Sequence, residues 1–68
     1  MSRSEAKRLL LGLDDYAVLD FNFQNVSEVG QGFCDEIFRV YANKNPGKVL
    51  SYNKASDVVR YMIERSRK

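Results

Sequence analysis

The 68-residue chain contains no histidine, no tryptophan and a single cysteine, Cys34. One thiol cannot form an internal disulfide, and without histidine it cannot complete a structural zinc site. The same absences remove the usual general base and the usual activator of a cysteine nucleophile, so we expect neither an enzyme nor a cofactor site. Cys34 is expected to pack as a small buried hydrophobe. The fold must then depend on its apolar core or on a partner.

Long apolar runs are also missing. No stretch approaches the ~20 residues that a membrane span requires, and the N-terminal sequence MSRSEAKRLLLGL lacks the features of a secretory signal. A lone cysteine is typical of a reducing compartment. The sequence therefore predicts a cytoplasmic protein that makes no use of a membrane, and its length predicts one domain over residues 1–68.

Charge is unevenly distributed along the chain. Residues 14–36 contain six acidic residues and no Lys or Arg, whereas residues 39–68 contain eight basic and two acidic residues. Most of these charges are expected to solvate helix faces and loops. A functional interpretation is a two-sided surface that orients a partner. The net charge of +2 is too small to indicate nucleic-acid binding by itself.

Apolar spacing predicts three helices. Ser2 and Glu5 have the spacing of a capping box ahead of a helix over about residues 3–12. A second helix opens at Gly30 and ends before the Asn-Pro-Gly breaker at residues 45–47. Asn53 is the candidate N-cap of a last, C-terminal helix.

Two short apolar segments, residues 16–21 and 48–53, have the length and flanks of buried strands. Together with the helices they predict a small α/β domain in the order α-β-α-β-α, with a right-handed parallel βαβ unit. Two strands form a very small sheet with two open edges. We therefore expect a homodimer, formed through strand pairing or through exchange of the first helix.

Three segments carry a family resemblance: residues 2–10 (SRSEAKRLL), residues 18–21 (VLDF) and residues 30–40 (GQGFCDEIFRV). They resemble the STAS-like family, a bacterial and archaeal domain of unassigned function. The resemblance implies a distant relation to STAS domains, which bind protein partners such as histidine-kinase-like ATPases in signalling. Longer relatives carry strand-forming sequence ahead of the first motif, so we expect an excised or abbreviated domain.

The resemblance directs attention to the start of the second helix, where many STAS antagonists are phosphorylated on a hydroxyl. Here that position reads Gly30-Gln31-Gly32, so the phosphoserine switch is not expected. Asp35 and Glu36 diverge around the helix and do not form a catalytic pair, and Asp35 is spaced to pair with Arg39. The candidate partner-binding patch has six members: Gly30, Gln31, Gly32, Asp35, Glu36 and Arg39.

Two functions remain open from the sequence. The first is a regulatory protein–protein interaction module that uses this patch and the open sheet edges. The alternative is a nucleotide- or nucleic-acid-binding module, in which amides at Gly30–Gly32 approach a phosphate and the basic termini contact nucleic acid. The glycine pair is only half of a dinucleotide fingerprint and follows a loop, so a tight turn that lets helix and strand approach is the simpler interpretation.

Overall fold

The structure is a computed structural model that describes residues 2–67. Its elements are α1 (Arg3–Leu10), β1 (Val18–Asn22), α2 (Gln31–Asp35), a π-helical segment (Glu36–Tyr41), α3 (Ala42–Lys44), β2 (Val49–Asn53) and α4 (Asp57–Ser66). The α2, π-helical and α3 segments follow one another without a break and form a single central helix, residues 31–44. Counted this way, three helices accompany a two-stranded sheet, which confirms the predicted α/β class.

The helices begin where side chains can replace missing backbone partners. Ser2 caps α1, because its Oγ accepts a hydrogen bond from the Glu5 amide at 3.3 Å, as the capping-box spacing predicts. α4 is capped by Ser56, whose Oγ accepts from the Val59 amide at 3.2 Å. The prediction that Asn53 is this N-cap is therefore wrong. Asn53 is the last residue of β2.

The two strands pair in parallel, with Val18 opposite Val49 and Asn22 opposite Asn53. This confirms the predicted parallel pairing, while the handedness of the crossover stays a prediction. β1 begins and ends slightly later than the predicted residues 16–21. The ladder begins at Ala17, whose carbonyl accepts from the Val49 amide at 2.9 Å.

The core lies between one face of the sheet and the helices. Phe38, on the central helix, makes edge-on ring contacts with Phe21 of β1 at 5.7 Å and with Tyr52 of β2 at 6.1 Å. The opposite face of the sheet is uncovered, since Val18 and Val49 are 61% and 56% exposed. The buried apolar residues are Ala6, Leu10, Leu19, Phe23, Val29, Phe33, Cys34, Ile37, Phe38, Val59 and Ile63.

Within residues 2–67, no helix has both the length and the apolar character that crossing a membrane would require.

Candidate functional site

The predicted partner-binding patch lies on the first half of the central helix, where α1 and α4 pack against it. Arg39 is its one exposed member, Glu36 is buried at 7% exposure, and the other four are half-buried. Most of its polar side chains bind neighbouring helices instead of projecting into solvent. Whether a partner contacts this patch stays a prediction.

Gln31 connects the central helix to the end of α4. Its Nε2 donates hydrogen bonds to Asp35 Oδ1 at 3.1 Å and to Ser66 Oγ at 2.8 Å. The bond from Gln31, followed by the contact with the Ser66 hydroxyl, lowers the pKa of Asp35, and Arg39 at 3.6 Å acts in the same direction. Ser66 is 2% exposed, and its role was missed from the sequence because no local spacing relates it to Gln31.

Glu36 connects the same helix to α1. Its Oε1 lies 3.2 Å from Arg3 Nη1. Asp35 and Glu36 therefore contact different helices, in agreement with their predicted divergence. Gly32 also faces α1, since a Cβ built on it would lie 3.5 Å from the Arg3 Cβ. At Gly32 the close neighbour is therefore a helix and not a strand, while the expectation of a tight turn at Gly30–Gly32 that lets helix and strand approach stays a prediction for Gly30.

Two observations bear on chemistry at this helix start. Charges of both signs lie near this helix start, because Glu36 pairs with Arg3 and Asp35 with Arg39. Cys34 is fully buried, and burial, together with the negative charge of Asp35, raises the pKa of its thiol to about 11. A thiol in this state is a poor nucleophile.

A second site lies along β1, whose free edge is one of the open sheet edges that the sequence predicts. It is a groove of about 460 Å³ that contacts every residue of the strand. Because successive side chains of a strand point to opposite faces, a groove that contacts all of them runs along the strand's edge. Its remaining walls come from α1, the flanking loops and the central helix: Leu9, Leu13, Tyr16, Phe23, Val26 and Phe33.

The backbone of β1 presents unpaired groups to this groove. The Val49 amide donates a hydrogen bond to Ala17 O, and the Phe23 amide donates one to Asn53 O. The backbone groups of the odd-numbered residues of β1 therefore point towards β2. In a parallel ladder the alternate residues face the other way. The N–H and C=O groups of Val18, Asp20 and Asn22 therefore point into the groove, and no described residue pairs with them.

The free edge of β2 is different, because the Arg67 side chain packs against it and binds one of its carbonyls. Arg67 Nη2 donates to the carbonyl of Leu50 at 2.8 Å. Its guanidinium lies over the rings of Phe38 at 5.5 Å and Tyr52 at 5.7 Å, which fixes its position. The β2 edge therefore has one of its carbonyls occupied, whereas no side chain described along β1 occupies a backbone group of its free edge.

The open edge has an acidic border. Asp20 accepts hydrogen bonds from Ser51 Oγ at 3.0 Å and Asn53 Nδ2 at 2.9 Å, on the uncovered face of the sheet. Both donors are neutral, so these hydrogen bonds place no positive charge beside the carboxylate. None of the ion pairs found among residues 2–67 involves Asp20 or the acidic residues nearest to it in sequence, Asp14, Asp15 and Glu28.

Comparison with known families supports the resemblance. Searches of curated proteins and of solved structures return no match to the chain. A family described as a STAS-like domain of unknown function matches residues 5–60, which is most of the sequence. The chain therefore belongs to the STAS-like domain family.

Proposed function

We propose that this domain is a regulatory protein–protein interaction module that binds an extended segment of its partner along the free edge of β1. The observation that carries the proposal is the combination of unpaired backbone groups and apolar walls in one groove. Adding a strand to an open sheet edge is a recurring mode of peptide recognition, in which backbone hydrogen bonds supply affinity and side-chain pockets supply specificity.

The groove suits a polypeptide better than a small ligand. Val18, Asp20 and Asn22 offer donors and acceptors at the regular two-residue repeat of a strand, which another strand matches. Leu9 and Tyr16, at 48% and 59% exposure, would be covered by the added segment. The product would be a three-stranded sheet, which is more stable than an isolated pair.

The predicted patch has a supporting part in this proposal. Gln31 and Glu36 fix the central helix against α4 and α1, and Phe33 of that helix forms one wall of the groove. Arg39 remains exposed at the rim of the patch. From the family relation, we retain a histidine-kinase-like ATPase as the proposed partner class, with action in the cytoplasm.

Peptide selection followed by nuclear magnetic resonance tests the proposal. Random peptides displayed on phage are selected against the folded domain, and the selected peptides are titrated into ¹⁵N-labelled protein. We expect the amide signals of Val18, Asp20 and Asn22 to shift most, because their N–H groups face the groove. Leu19 and Phe21 amides, which already bond to β2, should shift less.

The variant Val18→Pro removes one N–H group at the free edge, and proline is tolerated where that group faces solvent. It should abolish binding, whereas Val18→Ala removes the same side chain but keeps the N–H group and should bind. Selected peptides that bind both variants equally, or that shift only residues away from β1, would contradict strand addition. Circular dichroism establishes that both variants are folded.

The nucleotide- or nucleic-acid-binding alternative has a separate test. Titration with ATP, GTP and a short DNA duplex, monitored at the Gly30–Gly32 amides, is expected to leave these signals in place. Saturable movement of these amides would support the alternative instead.

A further inference from the structure

We infer that the segment bound at the β1 edge alternates apolar residues with lysine or arginine, the apolar side chains entering the groove and the basic ones lying beside Asp20. This inference rests on the proposed function and adds the chemistry of the occupant. It follows from the pleat of the sheet, from the exposed apolar surface and from the charge of the border.

The pleat determines where the occupant's side chains go. A strand added to β1 continues the alternation of the sheet, so every second side chain points to the core side. There it meets the groove wall formed by Leu9, Leu13 and Phe33. Apolar residues at these positions would bury surface that is now open to water, since Leu9 is 48% exposed.

The intervening side chains lie on the uncovered face, next to Val18, Asp20 and Asn22. Asp20 is the one charged residue among them, and its hydrogen bonds come from neutral groups. Asp20 takes part in none of the ion pairs found among residues 2–67. A basic side chain on the neighbouring strand supplies the missing charge, and opposite charges on adjacent strands are stabilising.

A second copy of this chain fits the edge less well. Two-fold symmetry requires two β1 strands to pair antiparallel. Centred pairing would place Asp20 opposite the same residue of the partner, and like charges directly opposite are destabilising.

The five-residue length of β1 sets the length of the probe. The first peptide is an acetylated and amidated heptamer, Thr-Val-Lys-Val-Lys-Val-Thr. The second replaces both lysines with glutamate, and the third is the lysine peptide N-methylated at its five central residues, so that it has no ladder donors in either strand orientation. Each is titrated into ¹⁵N-labelled wild-type protein at low salt, with dissociation constants taken from the amide shifts.

We expect the lysine peptide to bind about tenfold more tightly than the glutamate peptide, because lysine pairs favourably with Asp20 whereas glutamate places a like charge beside it. This preference should decline as salt is raised and should largely disappear in Asp20→Asn. The N-methylated peptide should not bind, because it lacks the donors of a ladder.

The remaining outcomes separate the two proposals. Equal binding of the lysine and glutamate peptides, with shifts at Val18, Asp20 and Asn22, would overturn the charge inference and leave strand addition intact. Binding that survives N-methylation, or no binding by any peptide, would count against both. If the same amide signals broaden with increasing protein concentration when no peptide is present, a second copy of this chain, and not a basic partner, is the occupant of the edge.

Discussion

Lys48 should be among the most stabilising polar residues of this domain. Its Nζ donates to the carbonyl oxygens of Leu13, Asp14 and Tyr16 at 2.9, 2.8 and 2.9 Å. An ammonium group has three donors, so all of them are used. The carbonyls lie in the turn between α1 and β1, whereas Lys48 directly precedes β2. The Lys48 side chain therefore connects the start of β2 to the turn that precedes β1.

The expected effect of Lys48→Met is a loss of about 2 kcal/mol in the free energy of unfolding. A hydrogen bond to a charged group contributes about 1.5–3 kcal/mol when buried. The three bonds do not add fully here, because Lys48 is half-buried and the turn is largely exposed, so water replaces part of what is lost. Methionine keeps the apolar stem, which confines the change to the ammonium group and its contact with the Tyr41 ring at 5.7 Å.

Urea unfolding followed by far-ultraviolet circular dichroism measures this loss. For a slope near 1 kcal/mol per molar urea, about 2 kcal/mol lowers the midpoint by roughly 2 M with the slope unchanged. Lys44→Met is the control, because the Lys44 side chain is exposed and is in none of the side-chain hydrogen bonds or ion pairs found within residues 2–67. The urea midpoint of Lys48→Arg should fall between those of the wild type and Lys48→Met, since a planar guanidinium cannot converge on three carbonyls. Equal midpoints for the two methionine variants would refute the reasoning.

Three further predictions concern the buried and edge contacts. Stability should fall between pH 9 and 11, because the unfolded Cys34 thiol ionises near its ordinary pKa of 9.0 while the folded thiol stays protonated until about 11; Cys34→Ala should reduce this loss in urea titrations at the two pH values. Gln31→Glu should destabilise the domain by about 1–3 kcal/mol at pH 7, because it replaces a donor to Asp35 with a second carboxylate. Melting temperatures should show that the deficit of Gln31→Glu relative to the wild type shrinks as pH falls, because the paired carboxyls become protonated. The wild type itself should lose the stability due to Asp35 as pH falls below 3.8, the ordinary pKa of this carboxyl. Arg67→Ala should open the edge of β2 and raise the solution molar mass with concentration in light scattering, whereas Arg65→Ala should remain unchanged.

Features that depend on neighbours along the chain could be predicted from the sequence. The Ser2 cap involves residues three apart, and the parallel pairing follows from a helix between two strands. The cap of α4 shows the limit of such reasoning, because Asn53 and Ser56 are both suitable capping residues. The strand register decides between them: it places Asn53 beside Asp20, where its amide donates at 2.9 Å. That register is a tertiary property.

The candidate site depends on the same kind of information. The sequence predicts a two-stranded sheet with open edges, but both edges look alike from the sequence. They differ because Arg67, 17 residues beyond Leu50, reaches back to its carbonyl from the end of α4. No residue described along β1 has this role, and the acidic run from Asp14 to Glu36 contains no basic side chain that could take it. The charge asymmetry of the sequence therefore corresponds to a basic residue, Arg67, against the edge of β2 and an acidic residue, Asp20, beside the edge of β1, where we propose that a basic segment binds.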